Sequence, residues 1–422
     1  MINFIKVDLN KSIVLFLILL TCIFNQLTWV IFFDSNNALE LSEIIIFGLF
    51  DILLLILATL CFFYGYKLIF FNLFLFLITL IIIELIFGNW FFKDKINHLN
   101  ILKDYNVKFS IENLYDWHEK TINYTRDVYG LRSNYKSLDD IDIITIGGST
   151  TDQRFIGEGF TYQDILHKLF LEEKKYVSVV NAGVDGQSTF GHIKNFHYWF
   201  KSLSSLNPKY FLFFIGVNDV YRLKPVEQDT ILNQNREKLH LSLVNTIRSK
   251  SIFYYLIKLA SGIHEAKVYE LGHGYKKSYP KVDWTKEVKI DNHEYFVLNA
   301  LDSFEDRLIL LTKLVKEYNS KTIFVTQSHR KIYDFIDGTL FGEKDYLDLN
   351  GIKINGTDYY HIIRLMHQRM LKVAQNEGAI FLDLAEELEF DLDNDFYDHC
   401  HFTPSGAEKI GKYLHHNLRQ YF

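Results

Sequence analysis

Four short stretches of the chain carry side chains with the chemistry for catalysis. Gly147-Gly-Ser149 offers a hydroxyl. Asn181-Ala-Gly-Val-Asp-Gly186-Gln-Ser offers a glycine-bearing loop with free backbone N–H groups. Gly216-Val-Asn218-Asp219 offers a side-chain amide, and Asp398-His-Cys-His401-Phe-Thr-Pro sets a carboxylate three residues before an imidazole. Each is ordinary when taken singly. Ser149 has the composition of a helix N-cap as much as of a nucleophile. Gly-x-Asn-Asp is common turn composition, and an Asp before a His occurs on many surfaces. Together they supply a nucleophile, a base, an orienting carboxylate and oxyanion donors, which is the set that acyl transfer requires.

Several neighbours compete for these roles. Gly183 is an alternative to Gly186, and His399 is an alternative to His401, although only His401 leads directly into the Phe-Thr-Pro helix start. His399-Cys400-His401 has metal-binding residue types. Adjacent residues rarely share one tetrahedral site, and no further ligand group is evident, so neither a metal nor a cofactor is expected. Asp152 and Asp219 read as turn and cap residues. Asp185 and Gln187 read as solvated loop that could touch substrate. His361 and His367 read as surface or packing residues, and His329 lies just past a strand, within reach of the rim.

These groups need a scaffold. Short apolar, β-branched runs recur at Ile141–Ile146, Val177–Ala182, Tyr210–Ile215, Thr322–Thr326 and Ala379–Leu384. Helical patterns lie between them at Tyr162–Glu173, Phe190–Ser204, Ser303–Tyr318 and Asp358–Asn376, with a last helix at Ser405–Arg419. Alternation of this kind predicts an α/β fold, a parallel sheet covered on both faces. All four chemical stretches then fall at strand C-terminal ends, along one edge of one sheet, where open α/β sheets bind ligands. Residues 221–301 interrupt the alternation and are rich in Tyr. An insertion emerging at a strand end is either a lid over the site or a structural elaboration. Residues 93–138 read as a polar connector packed on the flank of a domain spanning 139–422.

With these residues in place, the chain resembles the SGNH (GDSL-type) hydrolase superfamily, whose four blocks are defined by Ser, Gly, Asn and His. The likeness runs over roughly residues 140–420 outside the insertion. The first block reads Gly-Gly-Ser-Thr in place of Gly-Asp-Ser-Leu, a variant found in envelope-associated branches. The resemblance implies a flavodoxin-like three-layer sandwich with a five-stranded parallel sheet and a shallow, open site. It implies Ser149 as nucleophile, His401 as base and Asp398 as orienting carboxylate. It also implies an oxyanion hole built from the N–H of Ser149, the N–H of Gly186 and the amide of Asn218, and it places the donor at the second glycine, Gly186.

The N-terminal part differs in character. Residues 1–92 hold three apolar runs, 12–33, 44–66 and 68–92, each long enough to cross a bilayer as a helix. A cleaved signal peptide is the alternative for the first, but it lacks a small-residue cleavage site and two more runs follow. Lys6, Lys11 and Lys67 against Asp34, Glu40 and Glu43 put the N-terminus inside and the hydrolase domain outside the cytoplasm. Asp51 and Glu84 within the runs mark either a polar path or partner-protein contact, or positions near an interface where a carboxyl stays protonated. The three cysteines (Cys22, Cys61 and Cys400) form no disulfide framework, and a net charge of −6 gives no reason to expect nucleic acid.

The sequence therefore predicts a multi-pass membrane protein with an extracytoplasmic serine esterase domain. Its expected substrate is an acyl ester of an envelope glycan or glycoconjugate, O-acetyl first, and its expected partners are the lipid bilayer and, through the spans, a membrane protein. Two other readings stand beside this one: an O-acyltransferase that uses the same triad with a glycan acceptor, and a non-catalytic binding or assembly module.

Overall fold

The computed structural model describes residues 9–23, 41–91, 101–133, 135–220, 250–268, 283–329, 332–344, 346–349, 352–398 and 400–422. The chain divides into two compact units. One comprises Met1–Ile96 with Thr246–Leu256, and the other Asn97–Asn245 with Ile257–Phe422.

The first unit is helical: α1 (Leu9–Ile23), α2 (Leu41–Tyr64) and α3 (Tyr66–Phe87). Gly65, at φ +80°, breaks α2 from α3, and the freed Tyr66 N–H donates to Asn10 Oδ1 at 3.0 Å. Helix α3 is predominantly apolar all round and buries none of its residues in the protein. Among the described residues it is the one helix long and apolar enough to cross a membrane; the apolar parts of α1 and α2, Leu9–Thr21 and Asp51–Tyr64, are shorter. Of the three expected spans, one is thus of full length among the described residues. The first run's remainder, residues 24–33, lies outside the described residues.

Glu84 has partners within the chain. Its carboxylate accepts from the indole N–H of Trp90 at 2.8 Å and from the N–H of Phe253 at 3.4 Å. Glu84 therefore ties the end of α3 to the first turn of the helix at Ile252–Val268 (α8 in chain order). Asp51 Oδ1 is buried without a hydrogen-bond partner among the described residues.

The second unit is built on five parallel strands: β3 (Ile143–Gly147), β4 (Val179–Asn181), β5 (Tyr210–Ile215), β7 (Lys321–Thr326) and β12 (Ile380–Leu382). Their order is β12-β7-β5-β3-β4. Every residue of β3 and β5 is buried, as an unbroken apolar run requires when both faces are covered. One face packs on α5 (Tyr162–Glu172) and α12 (Pro404–Leu418) through Leu166, Phe170, Ile410 and Leu414. The other packs on α6 (Thr189–Lys194), α9 (His293–Lys316) and α10 (Gly356–Glu377) through Ile193, Leu308, Leu311, Ile363 and Met366. The register pairs Gly147 with Phe214 and Ile215 with Thr326, so the C-terminal strand ends share one edge.

Several local expectations change. The connector is partly an antiparallel hairpin, β1 (Tyr105–Ser110) and β2 (Thr121–Arg126), and β2 alternates exposed and buried residues. The helix expected at Phe190–Ser204 is α6 followed by a widened turn at Asn195–Trp199 and a tight one at Phe200–Ser202. Helix α9 starts ten residues before Ser303 because Asn292 caps it, accepting the N–H of Tyr295 at 2.9 Å. The insertion is thus shorter than 221–301. It contains α8 and the short strand β6 (Trp284–Thr285), and its residues 221–249 and 269–282 lie outside the described residues. β6 pairs with β9 (Thr339–Glu343), which pairs with β8 (Tyr333–Ile336).

Candidate active site

Strand β3 delivers Ser149 by way of two glycines that have no room for a side chain. A Cβ on Gly147 would stand 2.1 Å from Thr151 Oγ1 and 2.6 Å from the Phe214 carbonyl. A Cβ on Gly148 would stand 2.1 Å from the amide nitrogen of Asn218. The Asn218 amide therefore lies against the residue preceding Ser149, and it donates to the Gln187 carbonyl at 2.9 Å. Ser149 opens a single helical turn, Ser149–Asp152 (α4). Gly186 sits at φ +72° with open space where a Cβ would point. That conformation favours glycine, and the open space leaves room for a ligand to approach the backbone.

The imidazole arrives from the turn before α12. His401 Nε2 lies 2.7 Å from Ser149 Oγ, and His401 Nδ1 lies 2.6 Å from Asp398 Oδ2. The other oxygen of Asp398 accepts the N–H of His401 at 2.8 Å and of Cys400 at 3.1 Å. Burial alone would raise the Asp398 pKa. The charge and hydrogen bond of His401, joined by the two backbone N–H groups, outweigh burial and hold the carboxyl well below the usual carboxylate range. Burial would likewise push His401 down, and the Asp398 anion beside it instead lifts it well above an ordinary imidazole. The ring of Tyr397 lies nearly parallel to that of His401 at 5.6 Å. Thr403 caps α12 with Pro404 following at its start, which ends the turn abruptly.

Such a line of groups can deprotonate a hydroxyl as it attacks a carbonyl and then return the proton to the leaving group. Ser149 and His401 are 9% and 7% exposed, so the pair is shielded yet reachable. A cavity of about 520 Å³, lined by residues including Asp127, Tyr129, Tyr135 and Lys136, includes none of the three.

The neighbours resolve individually. Gly183 is closed by packing, since a Cβ there would stand 2.3 Å from the Asp152 nitrogen. Asp152 is more than a turn residue: it is buried and ion-paired with Arg126, and it accepts from the Tyr124 hydroxyl at 2.8 Å. Asp219 accepts the Thr189 N–H at 3.2 Å and faces Arg307 at 3.7 Å, which binds the Gly186 loop to the end of β5. Asp185 pairs with Arg154 at 3.1 Å. The Gln187 side chain is held by Asn195 at 2.8 Å. His329 is buried and stacks on Tyr359 at 5.1 Å, and His361 lies beside His293. His367 is buried in the core, where desolvation pushes it down to about 3. His399 lies outside the described residues.

Sequence reasoning missed the support behind Ser149. Arg126 Nη2 donates to the Gly183 carbonyl at 2.7 Å, and Arg132 Nη1 donates to the Asp152 carbonyl at 2.7 Å. The Gln327 amide donates to Thr150 Oγ1 at 2.6 Å and accepts the Val217 N–H at 2.8 Å, joining three strand ends. The polar–apolar alternation of Thr121-Ile-Asn-Tyr-Thr-Arg126, which sets Arg126 on the same side as Ile122 and Tyr124, is the signal that could have found the first of these.

The sheet order, the strand-edge serine and its imidazole partner define an α/β hydrolytic domain. The profile of the GDSL-like Lipase/Acylhydrolase family matches residues 143–414, and the chain belongs to this family, an esterase or acylhydrolase of the GDSL/SGNH type. Solved structures with a similar fold include the acetyl xylan esterase AlAXEase (12% identity, 66% of this chain and 100% of that chain, TM-score 0.37). The esterase EstA from Pseudoalteromonas sp. is similar at 10% identity, over 66% of this chain and 97% of that one, TM-score 0.37. An Axe2 variant, an acetyl-xylooligosaccharide esterase from Geobacillus Stearmophilus, is similar at 13% identity, over 66% and 93%, TM-score 0.36. At these values the likeness says nothing about substrate. No curated protein sequence matches the chain.

Proposed function

We propose that the chain is a serine esterase in which Ser149 attacks the ester carbonyl, His401 takes and returns the proton, and Asp398 fixes the imidazole tautomer. The N–H groups of Ser149 and Gly186 and the Asn218 amide hold the oxyanion. The observation that carries this reading is the unbroken line from Ser149 Oγ through His401 to Asp398, at 2.7 and 2.6 Å. The proposed substrate is a short acyl ester, O-acetyl first, borne by an envelope glycan. One feature supports it. Helix α3 exposes a predominantly apolar surface, which suits a bilayer anchor holding the enzyme near envelope material.

The test is active-site labelling of the full chain with an organophosphonate, followed by peptide mass mapping, alongside acetate release from acetylated glycans. One phosphonyl group per chain on Ser149, with acetate release blocked by the label, is the expected result. Folded protein that leaves Ser149 unlabelled sinks the triad. Labelling without acetate release keeps the triad and sinks the substrate.

A further inference from the structure

The turn that carries the base also carries a thiol whose placement none of the chemistry above uses. The donor atoms of Asp398, Cys400 and His401 all lie within 4.8 Å of one another. Cys400 Sγ is 3.7 Å from His401 Nδ1, the nitrogen that faces Asp398 Oδ2 at 2.6 Å. Asp398 and His401 are buried and Cys400 is intermediate in exposure, while burial pushes its thiol pKa up. Tetrahedral zinc, with bonds of about 2.0–2.3 Å to N, O and S, keeps its ligand atoms roughly 3.4–3.6 Å apart. The S–N pair, at 3.7 Å, is within about 0.1–0.3 Å of that spacing, and the carboxylate has to withdraw from the imidazole by roughly 0.8–1 Å while the donors, spread over up to 4.8 Å, close on the thiol side by about 1 Å. Against the expectation of no metal at the adjacent pair Cys400–His401, the fold adds Asp398 as a third donor, and one thiolate, one imidazole and one carboxylate form a set suited to Zn²⁺.

We propose that Asp398, Cys400 and His401 form an inhibitory binding site for a thiophilic divalent cation of the Zn²⁺ class, built directly onto the proposed catalytic base. The consequence for catalysis rests on the esterase reading above; the binding itself does not. On binding, the thiol of Cys400 releases its proton to solvent as the S–Zn bond forms. The imidazole turns its Nδ1 lone pair to the metal, so its single proton moves from Nδ1 to Nε2. Zn²⁺, the carboxylate, the thiolate and the neutral imidazole sum to zero charge; binding to the form with a neutral imidazole releases one proton, the thiol's, and binding to the imidazolium form releases two, both to solvent. His401 Nε2 then faces Ser149 Oγ as a donor and no longer accepts the serine proton. The metal thus disables the base by fixing the wrong tautomer while leaving Ser149 in place.

The test uses the full chain, freed of metal by a chelator that is then removed. Zn²⁺ is titrated against hydrolysis of a short-chain ester by the wild type, Cys400→Ser and Cys400→Ala, each scored against its own uninhibited rate. Cd²⁺ is added separately, and the ultraviolet sulfur-to-metal charge-transfer band reports thiolate ligation with no turnover required. Wild type should be inhibited by Zn²⁺ and restored by chelator. Both variants should need at least about 100-fold more metal, since losing even an outer-shell partner costs about 10–100-fold in affinity. The Cd²⁺ band should appear in wild type and vanish in both variants. Equal inhibition of wild type and variants overturns the site, as does a missing band in wild type or a band that survives in both variants. A Cys400-dependent band in protein that hydrolyses no ester would retain the metal site and reject the esterase reading instead.

Discussion

Behind Ser149, Thr150 is held by Gln327, 177 residues further on, and Asp152 by Arg126, 26 residues back. His401, by contrast, is oriented by Asp398 three residues away and by its own backbone neighbours. The hydroxyl half of the site is assembled by the tertiary fold, and the imidazole half by one turn. The two differ in what a substitution should damage. In the imidazole half, each bond is local and bears on proton transfer, so changes there should show in rate first. In the hydroxyl half, the bonds are buried and tie strands together, so changes behind the serine should cost stability first.

The sharpest break comes at the meeting point. Ser149→Ala should lower kcat by on the order of 10⁴–10⁶, as loss of a triad serine does, with the melting temperature unchanged. Retained turnover on a verified ester would end the nucleophile assignment. Asp398→Asn comes next, at about 10⁴ in kcat, because the amide favours the wrong imidazole tautomer. It also carries a pH signature. The base works unprotonated, so kcat/KM falls as pH drops through the His401 pKa, which Asp398 holds above the ordinary range. Removing the anion should therefore move the acid limb of the profile to lower pH. An acid limb that stays in place would mean that Asp398 does not set the base. Asn218→Ala should cost about 10²–10³ in kcat with KM little changed, the usual loss for one oxyanion donor; a change confined to KM would assign Asn218 to ground-state binding.

The same division governs what could be read from the chain. The five strands, the terminal helix and the Asp398–His401 turn were legible because their signals are local: apolar runs bounded by turns, and a Thr-Pro helix start. Tyr210–Ile215 falls within the same bounds in the sequence reading and in the structure. Arg126, Arg132 and Gln327 were not legible as supports. Each is an ordinary polar residue until the fold brings it to a strand end tens of residues away. The small strands at 333–354, Tyr333–Ile336 and Thr339–Glu343 in one small sheet and Leu347–Leu349 and Ile352–Ile354 (β10 and β11) in another, were missed because each is only three to five residues long. Asn355 fits the glycosylation pattern, yet it is buried and caps α10, with its side chain accepting from Asp358 at 2.9 Å. A pattern match cannot report burial.

Arg126→Met tests the supporting network directly. It strips the carboxylate of Asp152 of its closest cation, leaving the Tyr124 hydroxyl at 2.8 Å and Arg154 at 3.6 Å. Breaking a buried pair from one side typically costs about 3–5 kcal/mol, and the remaining partners favour the lower end. Urea unfolding should show that loss, while kcat per folded molecule should change by less than the loss seen in Asn218→Ala. A variant as stable as wild type would mean the network is not what holds the serine turn.

The smallest effects separate the two glycines of one loop. Gly183→Ala places a Cβ 2.3 Å from the Asp152 nitrogen and 2.7 Å from the Thr151 carbonyl carbon, both backbone atoms that cannot swing aside. Overpacking of this kind costs about 1–3 kcal/mol, so its unfolding midpoint should fall. Gly186→Ala meets no atom within 4 Å and bears only the strain of a side chain at φ +72°, about 1–2 kcal/mol at most. If the Gly186 N–H points at the developing oxyanion, relief of that strain tilts the peptide, and kcat falls with KM held. Denaturation midpoints and initial rates on both variants decide the matter. Should Gly183→Ala lower kcat without touching stability while Gly186→Ala leaves turnover intact, the donor belongs to the first glycine, and the loop presents a different peptide to the substrate than the open space at Gly186 implies.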